Sequence, residues 1–217
     1  MTFTLLAADT RSGMLAAATA SRSLAVGNAV IAIDPAAGAV ASQAWTNRSL
    51  RARMLTALAD GLHPAEVMAA VPTWDEEPER RQVAALLPSG EADSRTGTAT
   101  SPWAGAVVRR GLVALGNLLT GPEVLAAMVE AYEAEAEHTA GASAAAGVQA
   151  RRVLIAMQAG EAAGGDRRGR QSAAVMVARV REHRQHPPDL DLDLRVDNAE
   201  DPLAELARLV ELSVRTG

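Results

Sequence analysis

The sequence predicts one mixed α/β domain in which antiparallel sheets pack between helices. Three observations carry that expectation. Short apolar runs of strand length arrive in groups, helical periodicity falls between those groups, and the strict β-α-β-α alternation of a doubly wound parallel sheet is absent. The 217 residues lie within the range of a single large domain, so residues 1–217 are taken as one unit. Hydrophobic residues make up 48% of the chain but aromatics only 2%, so Ala, Val, Leu, Ile and Met fill the interior and the elements must approach closely.

Residues 3–8 and 14–20 flank Asp9-Thr10-Arg11-Ser12-Gly13, a polar turn closed by Gly, and read as a hairpin. Residues 28–33 and 39–43 form a second pair around Asp34-Pro35-Ala36-Ala37-Gly38. From Asn47, Leu50, Met54, Leu55 and Leu58 recur at helical spacing until Gly61. His63-Pro64-Ala65-Glu66 starts a shorter helix, which Pro72 and the acidic run 75–79 are expected to end. Residues 82–87, 92–98 and 105–115 read as further strands. Two helices follow, over about 121–137 and 147–162, joined by the small-residue stretch 139–146. Residues 171–180 read as a buried strand and 189–197 as a half-exposed one. Asp201-Pro202 opens a last helix with Pro at its first position and an apolar stripe of Leu203, Leu206, Leu209, Val210 and Val214.

The net charge of −5 and pI near 5.4 remove the electrostatic basis for sequence-independent binding to nucleic acid or anionic lipid. The absence of Cys excludes disulfides, thiolate metal sites and thiol nucleophiles. No Lys is present, so every basic residue besides His is Arg and no lysine base or Schiff base is available. The opening residues lack a basic segment before their apolar run, and no apolar stretch has membrane-spanning length. A cytoplasmic protein with no membrane partner is the expectation.

The segment Gly164-Gly165-Asp166-Arg167-Arg168-Gly169-Arg170-Gln171 spaces its glycines like a phosphate-binding loop. Arg170 and Gln171, however, stand where Lys and Ser/Thr would meet phosphate and Mg²⁺, and a helix precedes the segment while a strand follows it. No nucleotide is therefore expected. His183 and His186 share an arginine-rich polar stretch without a third ligand at motif spacing, so no metal is expected either. Asp193, Arg195 and Asp197 fall on one face of a strand, as in a plain ion-pair ladder. Ser21-Arg22 and Ser42-Gln43-Ala44-Trp45-Thr46-Asn47 lie where strands end, which places polar groups at the mouth of a cleft. For Asn47 a helix cap, and for Trp45 a place in the core, are the competing roles.

Met1-Thr2-Phe3-Thr4, Ala20-Ser21-Arg22 with Ala25-Val26-Gly27, the hexapeptide from Ser42 to Asn47, Gly116-Asn117-Leu118-Leu119, the glycine-arginine segment running on through Ser172-Ala173-Ala174, and Asp193-Leu194-Arg195-Val196-Asp197 occur in order along the chain. This set resembles the bacterial domain-of-unknown-function family 1028. The resemblance covers nearly the whole chain and is most specific in the Gly-Gly-Asp segment. It implies a four-layer αββα sandwich of two stacked, mostly antiparallel sheets, as in the N-terminal-nucleophile (Ntn) hydrolases, relatives of the proteasome subunits.

In that superfamily an N-terminal Thr, Ser or Cys attacks an amide carbonyl with its own α-amine as base, and only Thr2 matches here. Met before a small residue such as Thr is readily removed, and an α-amine titrating near pH 8 suits a base working at neutral pH. The family resemblance implies Thr2 and Arg22 as catalytic residues, Arg22 standing in for the lysine that proteasome-like members carry. Ser21, Gln43, Thr46, Asn47, Asn117, Asp166 and Arg170 are the expected substrate-binding residues. The implied activity is hydrolysis of a C–N bond in a small molecule or peptide, with no metal or cofactor, by a homo-oligomer. A catalytically silent metabolite-binding protein and a structural homo-oligomer are the alternatives.

Overall fold

The computed structural model describes residues 2–141 and 145–216. The six-stranded sheet holds β1 (Thr2–Asp9), β2 (Met14–Ser21), β7 (Gly105–Arg109), β8 (Leu112–Asn117), β9 (Ser172–Arg179) and β10 (Leu192–Val196). Their order is β10-β9-β2-β1-β8-β7. The four-stranded sheet holds β3 (Ile31–Asp34), β4 (Gly38–Ala44), β5 (Arg81–Leu86) and β6 (Ala92–Thr96), in chain order. Every neighbouring pair in both sheets is antiparallel. The helices are α1 (Ser49–Ala59), α2 (Pro64–Trp74), α3 (Glu123–His138), α4 (Ala146–Ala162) and α5 (Pro202–Thr216).

Period-two alternation sorts the strand residues into three cores. Phe3, Leu5 and Ala7 of β1, with Ala16 and Ala18 of β2, pack on Met128, Val153, Met157 and Leu206 of α3, α4 and α5. Leu6 and Ala8 point the other way, meeting Ile31, Ile33, Ala39, Ala41, Ala84 and Leu86 of the smaller sheet. Val40, Val83 and Ala85 turn outward onto Leu50, Met54, Val67 and Val71 of α1 and α2. Helices, sheet, sheet, helices is thus the layer order, as the resemblance implies. Alanine dominates the inter-sheet layer, which fits a core with almost no aromatics to separate its elements.

Both expected hairpins form, the first pairing Phe3 with Ala20 through Asp9 with Met14. The second starts later than residue 28, because Val26–Asn28 make a 3-10 turn in which Gly27 lies against β9. A Cβ added at Gly27 would stand 2.3 Å from Ala174 Cβ, too close for an ordinary strand residue. The run 105–115 is not one strand, since Arg110 and Gly111 turn it into the β7–β8 hairpin, Gly111 at φ 79° supplying the left-handed position. Pro72 does not end α2, which continues to Trp74. Its missing donor falls in the last turn, and Val67, Met68 and Val71 bury the stripe that holds the helix down. Residues 142–144 of the small-residue join lie outside the described residues, as does Met1. Among the described residues no helix is long and apolar enough to cross a membrane.

Candidate functional site

The face of β1 that meets the second sheet changes character at the start of the strand, where Thr2 and Thr4 replace the apolar residues. Thr19 and Ser21 do the same at the end of β2, Asn117 at the end of β8, and Gln43 and Gln82 on β4 and β5, and all seven are buried. Buried polar groups demand partners, and these find one another. The Thr2 hydroxyl donates to Ser21 Oγ at 3.3 Å, and Ser21 Oγ lies 2.9 Å from Ser23 Oγ. The Thr4 hydroxyl donates to Gln43 Oε1 at 2.6 Å and lies 2.9 Å from the Thr19 hydroxyl. Gln43 Nε2 donates to Thr2 O at 3.3 Å and to Gln82 Oε1 at 2.8 Å. Gln82 ties both sheets together, its Nε2 reaching Gly116 O at 2.9 Å and Gly105 O at 3.0 Å while its Oε1 accepts from Asn117 Nδ2 at 3.1 Å.

Above this network the strand ends open into a cleft of about 210 Å³ lined by Ala44, Trp45, Ser101, Asn117, Leu118 and Arg168. Thr2 pairs directly with Asn117 across β1 and β8, so its hydroxyl lies one strand from the cleft wall. Two of the lining residues, Ala44 at φ 72° and Leu118 at φ 54°, hold left-handed backbone that non-glycine side chains disfavour. Such strain gathers at binding and catalytic sites because the surroundings must impose it.

The Gly-Gly-Asp segment reaches the same end of the larger sheet. Leu119 bridges to Asp166, and Thr120 N donates to Gly165 O at 3.4 Å. Gly164, at φ 121°, lies so close to Thr120 that a Cβ there would stand 2.2 Å from its Oγ1. Asp166 caps the arrangement, accepting from Arg22 N at 2.9 Å and from Arg168 N at 2.8 Å, while Arg22 Nη1 donates to Arg168 O at 2.9 Å. Ser21, Gln43 and Asn117 thus bond or pair with Thr2, and Asp166 joins this end of the sheet through Arg22, the residue after Ser21.

Three of the expected binding residues stand elsewhere. Arg170 pairs with Asp201 at 2.9 Å and Glu161 at 3.3 Å, at the start of α5 and the end of α4. Burial pushes the Glu161 carboxyl above its usual range even beside Arg170, whose charge acts in the opposite sense. Asn47 accepts from Ser49 N at 3.0 Å, as a helix cap does, and donates to Asp75 Oδ2 at 2.7 Å. Thr46 is exposed in the loop between β4 and α1. Trp45 is not a core residue, being 58% exposed, because the left-handed turn at Ala44 swings it off the sheet.

The loop carrying Trp45 is held from below by Asp75. Its side chain, fully buried, meets Arg81 Nε at 2.9 Å, and Arg81 Nη1 donates to Trp45 O at 2.6 Å. The Arg81 guanidinium, with help from Asn47, pulls the Asp75 carboxyl down to about 2. Arg195 and Asp193 form the expected ion pair at 2.8 Å, and His183 and His186 are exposed. No group of three metal-ligating side chains occurs among the described residues.

Sequence reasoning missed Gln82 and Thr4. The repeated alternation of Thr2 with Thr4 and Thr19 with Ser21 was the available signal, since it puts four hydroxyls on one face of a hairpin. Gln82, a single amide opening an apolar strand, had no such signal.

No curated protein matches the sequence. A crystal structure of a Silicibacter pomeroyi protein of the DUF1028 family is similar at 32% identity and a TM-score of 0.82, covering 98% of this chain and 86% of that one. The family of unknown function DUF1028 itself matches residues 2–206, and the chain belongs to that family.

Proposed function

We propose that this protein hydrolyses an amide bond of a small molecule or peptide by the Ntn mechanism, with Thr2 as nucleophile. The observation that carries the reading is the position of Thr2: 6% exposed, at the first residue of a central strand, its hydroxyl on Ser21 and its strand partner Asn117 lining the cleft. The four-layer architecture supports it by analogy alone.

With Met1 removed, the Thr2 α-amine takes the hydroxyl proton as Oγ1 attacks the substrate carbonyl. The same proton then passes to the departing amine as the C–N bond breaks, leaving an acyl ester on Thr2. Water, deprotonated by the α-amine, attacks that ester, and the proton passes to Thr2 Oγ1 as the C–O bond breaks, releasing the acid and restoring the hydroxyl. Ser21 orients Oγ1, and Arg22, fixed by Asp166 and the Arg168 carbonyl, supplies positive charge that favours the neutral amine. A second reading, binding without turnover, is favoured by one observation: among the described residues, the side chains that hydrogen-bond the Thr2 hydroxyl and carbonyl, Ser21 and Gln43, are uncharged.

Intact-mass analysis of native protein, followed by an amide panel with wild type and Thr2→Ala, separates the two. The proposal expects a mass lacking Met1 and turnover abolished in Thr2→Ala with folding retained. A retained Met1, or equal turnover by the variant, would leave the binding reading.

A further inference from the structure

Asn117 ends β8, is 2% exposed and borders the cleft, yet its side-chain oxygen is unused. Which end of the amide is engaged is fixed from the smaller sheet. Gly105 O and Gly116 O can only accept, so the Gln82 atom that meets them at 3.0 and 2.9 Å is its nitrogen, and Gln82 Oε1 lies on the other branch. That oxygen needs donors: it takes Gln43 Nε2 at 2.8 Å and Asn117 Nδ2 at 3.1 Å. Asn117 Oδ1 is thereby turned away from Gln82, and it accepts no hydrogen bond from the described residues. Nor is it sealed in the core, because the one buried side-chain polar atom without a partner among the described residues is Arg51 Nε. Oδ1 therefore reaches open space, and the space that Asn117 borders is the cleft.

The backbone around this amide is pinned and lies beside Thr2. Leu118, the next residue, donates to Ser101 O at 3.0 Å and its carbonyl accepts from Arg167 N at 3.4 Å. Thr2 and Asn117 are direct partners across β1 and β8, and such partners share a face with Cβ atoms about 5 Å apart. The Thr2 hydroxyl is turned to Ser21 of β2, on the far side from β8. A carbonyl carbon about 3 Å from Thr2 Oγ1 brings its amide nitrogen, about 1.3 Å further on, within reach of Asn117 Oδ1. An amide oxygen carries lone pairs and no proton, so it can meet only a donor.

We infer that Asn117 is a specificity residue of the cleft, its Oδ1 accepting the N–H of a substrate amide. That this amide is the scissile one rests on the hydrolytic reading above. The substrate class is then primary and secondary amides. Esters and tertiary amides are rejected, because they set an oxygen lone pair or an alkyl group against Oδ1 and leave that acceptor unpaired and shielded from water.

N-methylacetamide and methyl acetate serve as probes, being nearly equal in size and differing in an N–H against an ester oxygen. Each is titrated into the whole chain carrying Thr2→Ala, which keeps the probes intact, and followed through the Leu118 backbone amide resonance at the cleft. The amide is expected to bind roughly tenfold more tightly than the ester, the range of one shielded hydrogen bond, and Asn117→Leu in the same background should bring the two within about twofold. Equal affinities in Thr2→Ala overturn the assignment, as does a preference that survives Asn117→Leu or a Leu118 resonance that neither probe moves at molar concentration. The first comparison leaves Asn117 in place, so it holds even where the leucine variant does not fold. Turnover judges the hydrolytic reading separately: the amide preference without Thr2-dependent turnover sinks that reading alone, and equal affinities with Thr2-dependent turnover sink the role of Asn117 alone.

Discussion

Gln82 is the side chain on which the two sheets depend most at the functional end, and Gln82→Leu measures that dependence. Leucine keeps most of the volume and removes both polar atoms. Asn117 Nδ2, 2% exposed at the residue level, then loses its acceptor, and Gly116 O loses the amide at 2.9 Å. Gln43 Nε2 keeps Thr2 O at 3.3 Å and is only partly stripped. Two buried groups left without partners cost about 1–3 kcal/mol each, offset by about 1 kcal/mol of added apolar burial, so the net loss is about 3 kcal/mol. That is a large share of the ~5–15 kcal/mol typical of a domain. In urea unfolding, with m of about 2–3 kcal/mol/M, the midpoint should fall by roughly 1–1.5 M. The double variant Gln43→Leu/Gln82→Leu should lose less than the sum of its single changes, because removing both partners spares the amides that each single change strands. A midpoint within roughly 0.3 M of wild type for Gln82→Leu would show that water or local repacking satisfies these groups and that the network does not join the sheets.

Two further outcomes test how the cleft walls are held. Asp75 has its folded pKa drawn from 3.8 to about 2, chiefly by Arg81, so its contribution is present above the unfolded value and lost as pH falls through about 2. Its fully buried side chain makes the shift worth about 2 kcal/mol, and Asp75→Asn should lose that amount near neutrality while showing a flatter stability profile between pH 4 and 2 than wild type. Parallel acid limbs for the two proteins in urea titrations would contradict the assignment. Gly164→Ala puts a methyl group 2.2 Å from Thr120 Oγ1 at φ 121°, and should destabilise by about 1–3 kcal/mol and raise amide exchange over residues 117–120. Unchanged exchange there would mean that the loop yields without disturbing the cleft.

Most of the architecture was legible because apolar runs bounded by turn residues marked the strands and helical spacing marked the helices between them. The apolar runs 3–8 and 14–20 on either side of a polar turn closed by Gly13 predict the first hairpin to within a residue, and the Leu50, Met54, Leu55 and Leu58 spacing predicts α1. The errors fall where tertiary packing overrides local preference. The strand expected over 28–33 begins only at Ile31, because Gly27 must pass against Ala174, a contact 147 residues away in sequence that no local pattern encodes. The run 105–115 hides its turn because Arg110-Gly111 has apolar residues on both sides, and only the left-handed Gly111 marks it.

The site was legible in part, and the division has a physical cause. Residues that end strands could be read as a group, since strand ends at one edge of a sandwich face the same solvent; this brought Ser21 and Gln43 to one place, while Thr2 and Asn117 were named only by the family resemblance. Arg170 was assigned to the cleft by its glycine neighbours, but a loop of alternating Gly and Arg turns successive side chains in different directions. Arg168 faces the cleft, while Arg170, two residues on, closes an ion pair with Asp201. Trp45 went unresolved for a similar reason. Its direction is set by φ at Ala44, and an alanine in left-handed backbone leaves no trace in sequence, where a glycine would have signalled the turn. An alanine retained in that conformation costs energy that glycine would spare, and the loop bears it through Arg81, Asp75 and Asn47. The same holds across the cleft at Leu118, whose N–H donates to Ser101 O at 3.0 Å and whose carbonyl accepts from Arg167 N at 3.4 Å. Both strained residues border the cleft whose wall holds Asn117, the strand partner of Thr2, so the strain and the proposed nucleophile point to the same end of the sheets from independent features of the chain.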